Sequence, residues 1–281
     1  MGRGFVITEK QKNDNIQFDI IIQGKYYEFT HQLIEEYSKL SFIDKIIVSC
    51  WEDDTVNLNF ENEKIEIVKN KYPEIHGTAN LNLQIISSLQ GLKKSSSNYA
   101  IKIRSDQIYT CDSMNELYNF FCKNYTTGSE QIFVSGVYPG LLFHPRDHMF
   151  WGETESLINL FNIPIEKNGI TEIINVSKEN LGKYYDCFTR SETYLGAHYC
   201  ARIDEKINRM ILKSSEYLYD ESPNWYFAKE VSDSITFKVF KSFPKNIIDF
   251  NWLGKTEWNI PGIPWKLQPY LDDCSWYEDG Y

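Results

Sequence analysis

Phe18-Asp19-Ile20-Ile21-Ile22, closed by Gln23-Gly24, decides the fold. A short apolar run rich in β-branched residues that stops at a turn is the pattern of a strand buried on both faces. From Thr30 to Leu40 apolar residues recur at Leu33, Tyr37 and Leu40, a stripe that lets a helix pack back on that strand. The chain therefore opens with a βα unit. Asp44 to Trp51 reads as a second buried strand, followed by the acidic Glu52-Asp53-Asp54, and Lys64 to Val68 reads as a third. Ala79 to Leu92 has helical spacing at Leu81, Ile85, Ser88, Leu89 and Leu92. A Ser-rich turn, Ser95 to Asn98, then leads into the alternating run YAIKIR (Tyr99 to Arg104), a strand that ends at Ser105-Asp106.

The rhythm continues with a helix around Ser113 to Lys123, a strand at Gln131 to Ser135 and a bend at Tyr138-Pro139-Gly140. A helix started by Asp147 is expected over Met149 to Leu160, and a longer one from Glu192 to Leu212. Strands alternating with helices predict a largely parallel sheet covered on both faces. After Ser214 the rhythm is lost, and Pro and Trp content together with a strand expected at Ile235 to Phe240 mark an extension. The expectation is one α/β domain over residues 1–214, with a Trp-rich C-terminal extension over 215–281 packed on it.

A chain of 281 residues with 42% hydrophobic and 24% charged side chains can bury a large core and lies far from disordered compositions. The formal net charge of −10 opposes attraction to nucleic acid and to anionic membrane faces. No apolar run approaches the roughly 18 residues that span a bilayer, and Met1 to Lys12 lacks the apolar stretch of a signal peptide, so a cytoplasmic location is expected. The six cysteines are scattered singly, as buried thiols of a reducing compartment would be.

Open α/β sheets bind ligands beyond the carboxyl ends of their strands. Three exits therefore matter: Gln23-Gly24, Trp51-Glu52-Asp53-Asp54 and Arg104-Ser105-Asp106. No GxGxxG follows the first strand and no GxxxxGK[ST] occurs, so phosphates need another holder, for which a hard cation on carboxylate oxygen is the usual choice. Asp106 stands where such a cation would bind, with Arg104 on the same strand face; the competing role is a turn-capping carboxylate. The amides of Asn82 and Gln84 can read a base, ribose or phosphate, or can lie on a solvated helix face. Glu52 can hold ribose hydroxyls or belong to a solvated loop. Asp147 can take the proton of an attacking hydroxyl or cap a helix. Glu192 is a second candidate base, or a first-turn acid that suits the helix dipole. The C-terminal tryptophans can stack on sugar rings or fill the core.

Three blocks carry a resemblance: NLNLQIISSLQGLK (Asn80 to Lys93), IKIRSDQIY (Ile101 to Tyr109) and FVSGVYPGLLFHPRDHMFWG (Phe133 to Gly152). In this order they resemble the WavE-type lipopolysaccharide synthesis family over roughly residues 18 to 212, most specifically at the RSD and DHMFWG segments. The resemblance implies a GT-A-like glycosyltransferase with a nucleotide-sugar donor, a glycan or glycolipid acceptor met at the inner membrane, and a divalent metal (Mn or Mg) at an Asp-x-Asp motif. Here Arg104 occupies the place of the first acid, which leaves Asp106 as the only motif carboxylate. Either Asp106 holds the metal with water and phosphate, or the Arg104 guanidinium supplies much of the positive charge. A sugar nucleotidyltransferase is the rival enzyme, but its Gly-rich basic loop after the first strand is hardly supplied by Gln23-Gly24-Lys25. The rival outside enzymology is a glycan-binding module built on the tryptophan-rich end.

Overall fold

The computed structural model describes residues 16–56, 63–137, 142–167, 191–205, 207 and 232–252. Its elements are β1 (Phe18–Gln23), α1 (Thr30–Tyr37), β2 (Ile43–Trp51), β3 (Ile65–Asn70), a 3₁₀ turn (Thr78–Asn80), α2 (Leu81–Leu92), β4 (Tyr99–Arg104) and β5 (Gln107–Tyr109). There follow α3 (Cys111–Asn124), β6 (Ile132–Val134), β7 (Met149–Glu153), α4 (Thr154–Phe161), α5 (Ser191–Ile203), β8 (Phe240–Ser242) and β9 (Phe250–Trp252).

Seven strands form one sheet in the order β3-β2-β1-β4-β7-β6-β8. Every pairing is parallel except those of β7, which runs antiparallel to both β4 and β6. The mostly parallel sheet flanked by helices that the sequence pattern predicts is therefore present. All six residues of β1 are buried, as the apolar run requires. Alternate residues of β1 feed opposite cores: Ile21 joins the cluster under α2, α4 and α5, while Ile20 and Ile22 join the cluster under α1 and α3. Asp19, buried in the same strand, accepts bonds from Ser95 Oγ, Ser96 N, Ser97 N and Ser97 Oγ, so a carboxylate inside the sheet fixes the Ser-rich turn that feeds β4. At the far side Thr110 caps α3 by accepting from Ser113 N at 3.2 Å, with Asp112 in the first turn and Lys123 in the last.

Several expectations are corrected. Asp147 starts no helix: the chain from Met149 is strand β7, and α4 begins at Thr154. The apolar run Met149-Phe150-Trp151 is buried on both faces, and such a run looks alike as strand or helix in periodicity. The segment expected as a strand from Ile235 is helical over 232–239, and only Phe240–Ser242 is extended. Its buried residues Ser232, Ile235, Thr236 and Val239 keep helical spacing, which outweighs their β-branched bias. At the start of α2, Ala79 and Asn80 take positive φ, +50° and +63°, so the regular helix begins two residues later than expected. The tryptophans at 258, 265 and 276, the bend at 138–140 and the stretch 208–212 lie outside the described residues. No helix among the described residues is long and apolar enough to cross a membrane.

Candidate active site

Strand order makes the crevice. From β1 the chain moves to β2 on one side, and β4 lies on the other, so the carboxyl ends of β1 and β4 flank a topological switch point. There Ser105 N donates to the Gln23 carbonyl at 2.8 Å, and Gly24 turns with φ +128°. A Cβ on Gly24 would meet Ser105 Oγ at 2.6 Å, so the close approach of the two strand exits, like the dihedral, favours glycine. A cavity of about 200 Å³ opens at this point, walled by Gln23 and Gly24, the rings of Tyr27 and Trp51, Gln84 from α2, the exit Arg104-Ser105-Asp106, and Asp147.

Strand β7 explains how Asp147 arrives. Because it runs antiparallel to β4, its amino end lies beside the carboxyl end of β4, with Met149 opposite Ile103. Asp147, two residues before Met149, is thereby delivered to the same edge as Arg104. Arg104 grips both carboxylates: Nε and Nη2 donate to Asp106 Oδ1 and Oδ2 at 2.9 Å each, and Nη1 donates to Asp147 Oδ2 at 3.1 Å. Gln84 Nε2 donates to the same Asp147 oxygen at 3.0 Å. Burial alone would raise the Asp147 carboxyl, but the charges of Arg104, Lys102 and His148 outweigh it and hold that group well below the usual carboxylate range. Burial works against the Arg104 charge too, and is outweighed by Asp147 and Asp106. His148 is pushed down to about 4 by burial, against the pull of Asp147.

Lys102 is the residue the sequence reading missed. It is 0% exposed on β4, its Nζ donates to the Asp147 carbonyl at 3.2 Å, and it lies over the rings of Phe150 and Phe161. Burial lowers its pKa to about 7, against the attraction of Asp147. The alternation of YAIKIR gave no signal of it, since a charged residue at every second position reads as a solvated face.

The other expected residues divide. Gln23, Gly24, Gln84, Arg104, Asp106 and Asp147 share the cavity wall. Asn82 does not: its side chain is buried, donates to the carbonyls of Ile75 and Glu166 at 2.9 and 2.6 Å, and accepts from Glu166 N at 2.7 Å. Its amide is committed to clamping two chain segments. We expect Asn82→Ala to lower unfolding stability by roughly 2–4 kcal/mol, because each buried group left unpaired costs about 1–3 kcal/mol; urea unfolding measures it. Glu52 is exposed on the turn after β2, outside the cavity wall; in that acidic run Asp54 is the anchored member, accepting from Tyr26 N and Trp51 N. Glu192 lies in the first turn of α5, accepts from Ser191 Oγ at 2.8 Å and sits 3.6 Å from His144 Nε2, also outside the cavity wall.

Asp106 does not fit the metal role expected of it. Both of its oxygens lie in the Arg104 fork, and among the described residues no three His, Cys, Asp or Glu side chains group closely enough to hold an ion.

Comparison with known proteins adds the following. The model of a family described as WavE lipopolysaccharide synthesis matches residues 42–215, which include α2, β4 and Asp147. No curated protein matches the chain. Among solved structures, a 2-C-methyl-D-erythritol 4-phosphate cytidylyltransferase of Francisella tularensis overlaps with TM-score 0.36 at 15% identity, covering 52% of this chain and 76% of its own. A 4-diphosphocytidyl-2C-methyl-D-erythritol synthase of Anaerococcus prevotii overlaps with TM-score 0.40 at 11% identity, covering 75% and 100%. The galactosyltransferase LgtC, in complex with donor and acceptor sugar analogues, overlaps with TM-score 0.38 at 10% identity, covering 63% and 69%.

Proposed function

We propose, from the premise that this chain belongs to the WavE lipopolysaccharide synthesis family, that it is a glycosyltransferase moving a sugar from a nucleotide-sugar donor to a lipopolysaccharide or other surface-polysaccharide acceptor. The observation that carries the reading is the meeting of Arg104, Asp106, Asp147 and Gln84 at one cavity over the switch point of the sheet. That is where an α/β sheet offers a nucleotide its strand ends. The cavity combines a guanidinium for phosphate, a carboxylate beside it for an acceptor hydroxyl, and the aromatic surfaces of Tyr27 and Trp51 for a base or sugar ring. Asp147 is the base in this reading and Glu192 its alternate. A cytoplasmic enzyme that meets its glycolipid acceptor at the inner membrane belongs to the same proposal.

A thermal-shift panel of nucleoside mono-, di- and triphosphates tests it. A nucleoside diphosphate at about 100 times its Kd is expected to add roughly 2.7 kcal/mol of stability and raise the melting temperature by about 5 °C. A response confined to triphosphates would replace this reading with nucleotidyl transfer. A response to glycans alone would replace it with a binding module.

A further inference from the structure

A divalent ion needs carboxylate oxygens that are open to it. At this cavity three of the four wall carboxylate oxygens accept from side chains, both of those on Asp106 among them. The Asp106 oxygens each accept from Arg104 at 2.9 Å, and Asp147 Oδ2 accepts from both Arg104 and Gln84. Lys25 and Arg104 are cationic side chains of the wall, and Lys102 lies behind it on the Asp147 carbonyl; the carboxylates of the wall are Asp106 and Asp147. The group already carries its own cations, arranged as a planar fork and ammonium groups, which suits an anionic ligand. A divalent ion on Asp106 would first have to break the fork.

We infer that the chain neutralises its donor's phosphates with Arg104, supported by Lys25 and Lys102, and turns over without a divalent cation on Asp106. The inference rests on the nucleotide-sugar reading and names the group that meets the leaving charge. In the transfer, the acceptor hydroxyl oxygen bonds to the anomeric carbon as the bond from that carbon to the donor's phosphate oxygen breaks. The phosphate oxygen leaves with the electron pair, its charge met by the guanidinium, and the hydroxyl proton passes to the Asp147 carboxylate. Asp106 is then a positioning residue: it holds the guanidinium plane and touches no reacting atom.

Isothermal titration of the full chain with UDP, GDP, ADP and CDP, in EDTA and again with Mn²⁺ or Mg²⁺, decides the matter. We expect one diphosphate to bind with the same Kd within about threefold in both buffers, and Arg104→Lys to weaken it about tenfold in both while the melting temperature certifies folding. Asp106→Asn separates the two schemes by sign. Asn still accepts one guanidinium bond through its amide oxygen while the negative charge beside Arg104 is gone, so diphosphate affinity is equal or higher under the inference, whereas loss of a metal ligand lowers it. A gain of tenfold or more on adding Mn²⁺ that Asp106→Asn abolishes would overturn the inference and keep the nucleotide-sugar reading. Absence of binding by every diphosphate in both buffers would overturn the two together.

Discussion

Asp147→Asn is expected to lower the rate of sugar transfer by roughly two to four orders of magnitude, the usual range for a lost general base, without weakening donor binding. The amide keeps the shape and can still accept from Gln84, but it cannot take a proton. It also removes a negative charge 3.1 Å from Arg104, which favours an anionic donor. In the free enzyme the carboxylate is a weak base, because Arg104 and Lys102 hold its pKa down. On the proposed reading, donor phosphate that draws Arg104 from Asp147 raises it, so basicity appears once the donor is seated. Breaking a buried ion pair costs about 3–5 kcal/mol, so the assay belongs well below the melting temperature of the variant. Glu192→Gln is the control, since Glu192 lies outside the cavity wall. A dead Glu192→Gln enzyme beside an active Asp147→Asn enzyme would exchange their roles.

Lys102→Met is expected to do two opposite things: stabilise the protein and impair it. The folded-state pKa of about 7 lies below the unfolded value of 10.5, so below pH 7 the fold carries the full cost of a buried ammonium. Between these values the unfolded chain binds more protons, and wild-type stability from this group rises with pH through that window. A Met of similar length removes the cost, so the variant should be more stable by a few kcal/mol at pH 6, with the advantage shrinking as pH rises from about 7 toward 10. Loss of the charge behind Asp147 should weaken donor binding about tenfold at pH 6. In the wild type the same loss should appear as pH rises past about 7, and in the Met variant that dependence should be absent. Melting curves and diphosphate titrations across pH check both halves; an unstabilised variant with wild-type affinity at every pH would return Lys102 to a packing role.

Much of the cavity wall was legible because buried parallel strands are written as apolar runs and their exits follow directly. Gln23-Gly24 and Arg104-Ser105-Asp106 needed no long-range information beyond the rule that ligands meet strand ends. Neighbours on a helix were harder. Asn82 and Gln84 are two positions apart, so they face different ways: one clamps Ile75 and Glu166, the other reaches Asp147. Lys102 was hidden by the alternation YAIKIR, which suggests a solvated face, whereas α2 and α4 cover that face. Asp147 reaches the cavity by a route that the local sequence does not show. A helix cap was expected, but its position depends on which strands β7 joins, and pairing partners are not encoded in periodicity.

The reversal of β7 builds the site from two separately anchored parts that meet where Arg104 and Gln84 donate to Asp147. One wall of the cavity is fixed by the exits of β1 and β4, while Asp147 hangs from the segment that returns from β6. That segment is tied at its base by the Val137–Pro145 bridge and by Arg146 N donating to the Gly136 carbonyl at 2.8 Å. Leu142 and Phe143 add a further anchor, buried in the core under α2, α4 and α5, with Phe143 N donating to Ser232 Oγ at 2.7 Å. On the proposed reading, substitutions along the return from Leu142 to Arg146 can retune what Asp147 meets while the register of β1 against β4, and with it the nucleotide's two strand exits, stays unaltered.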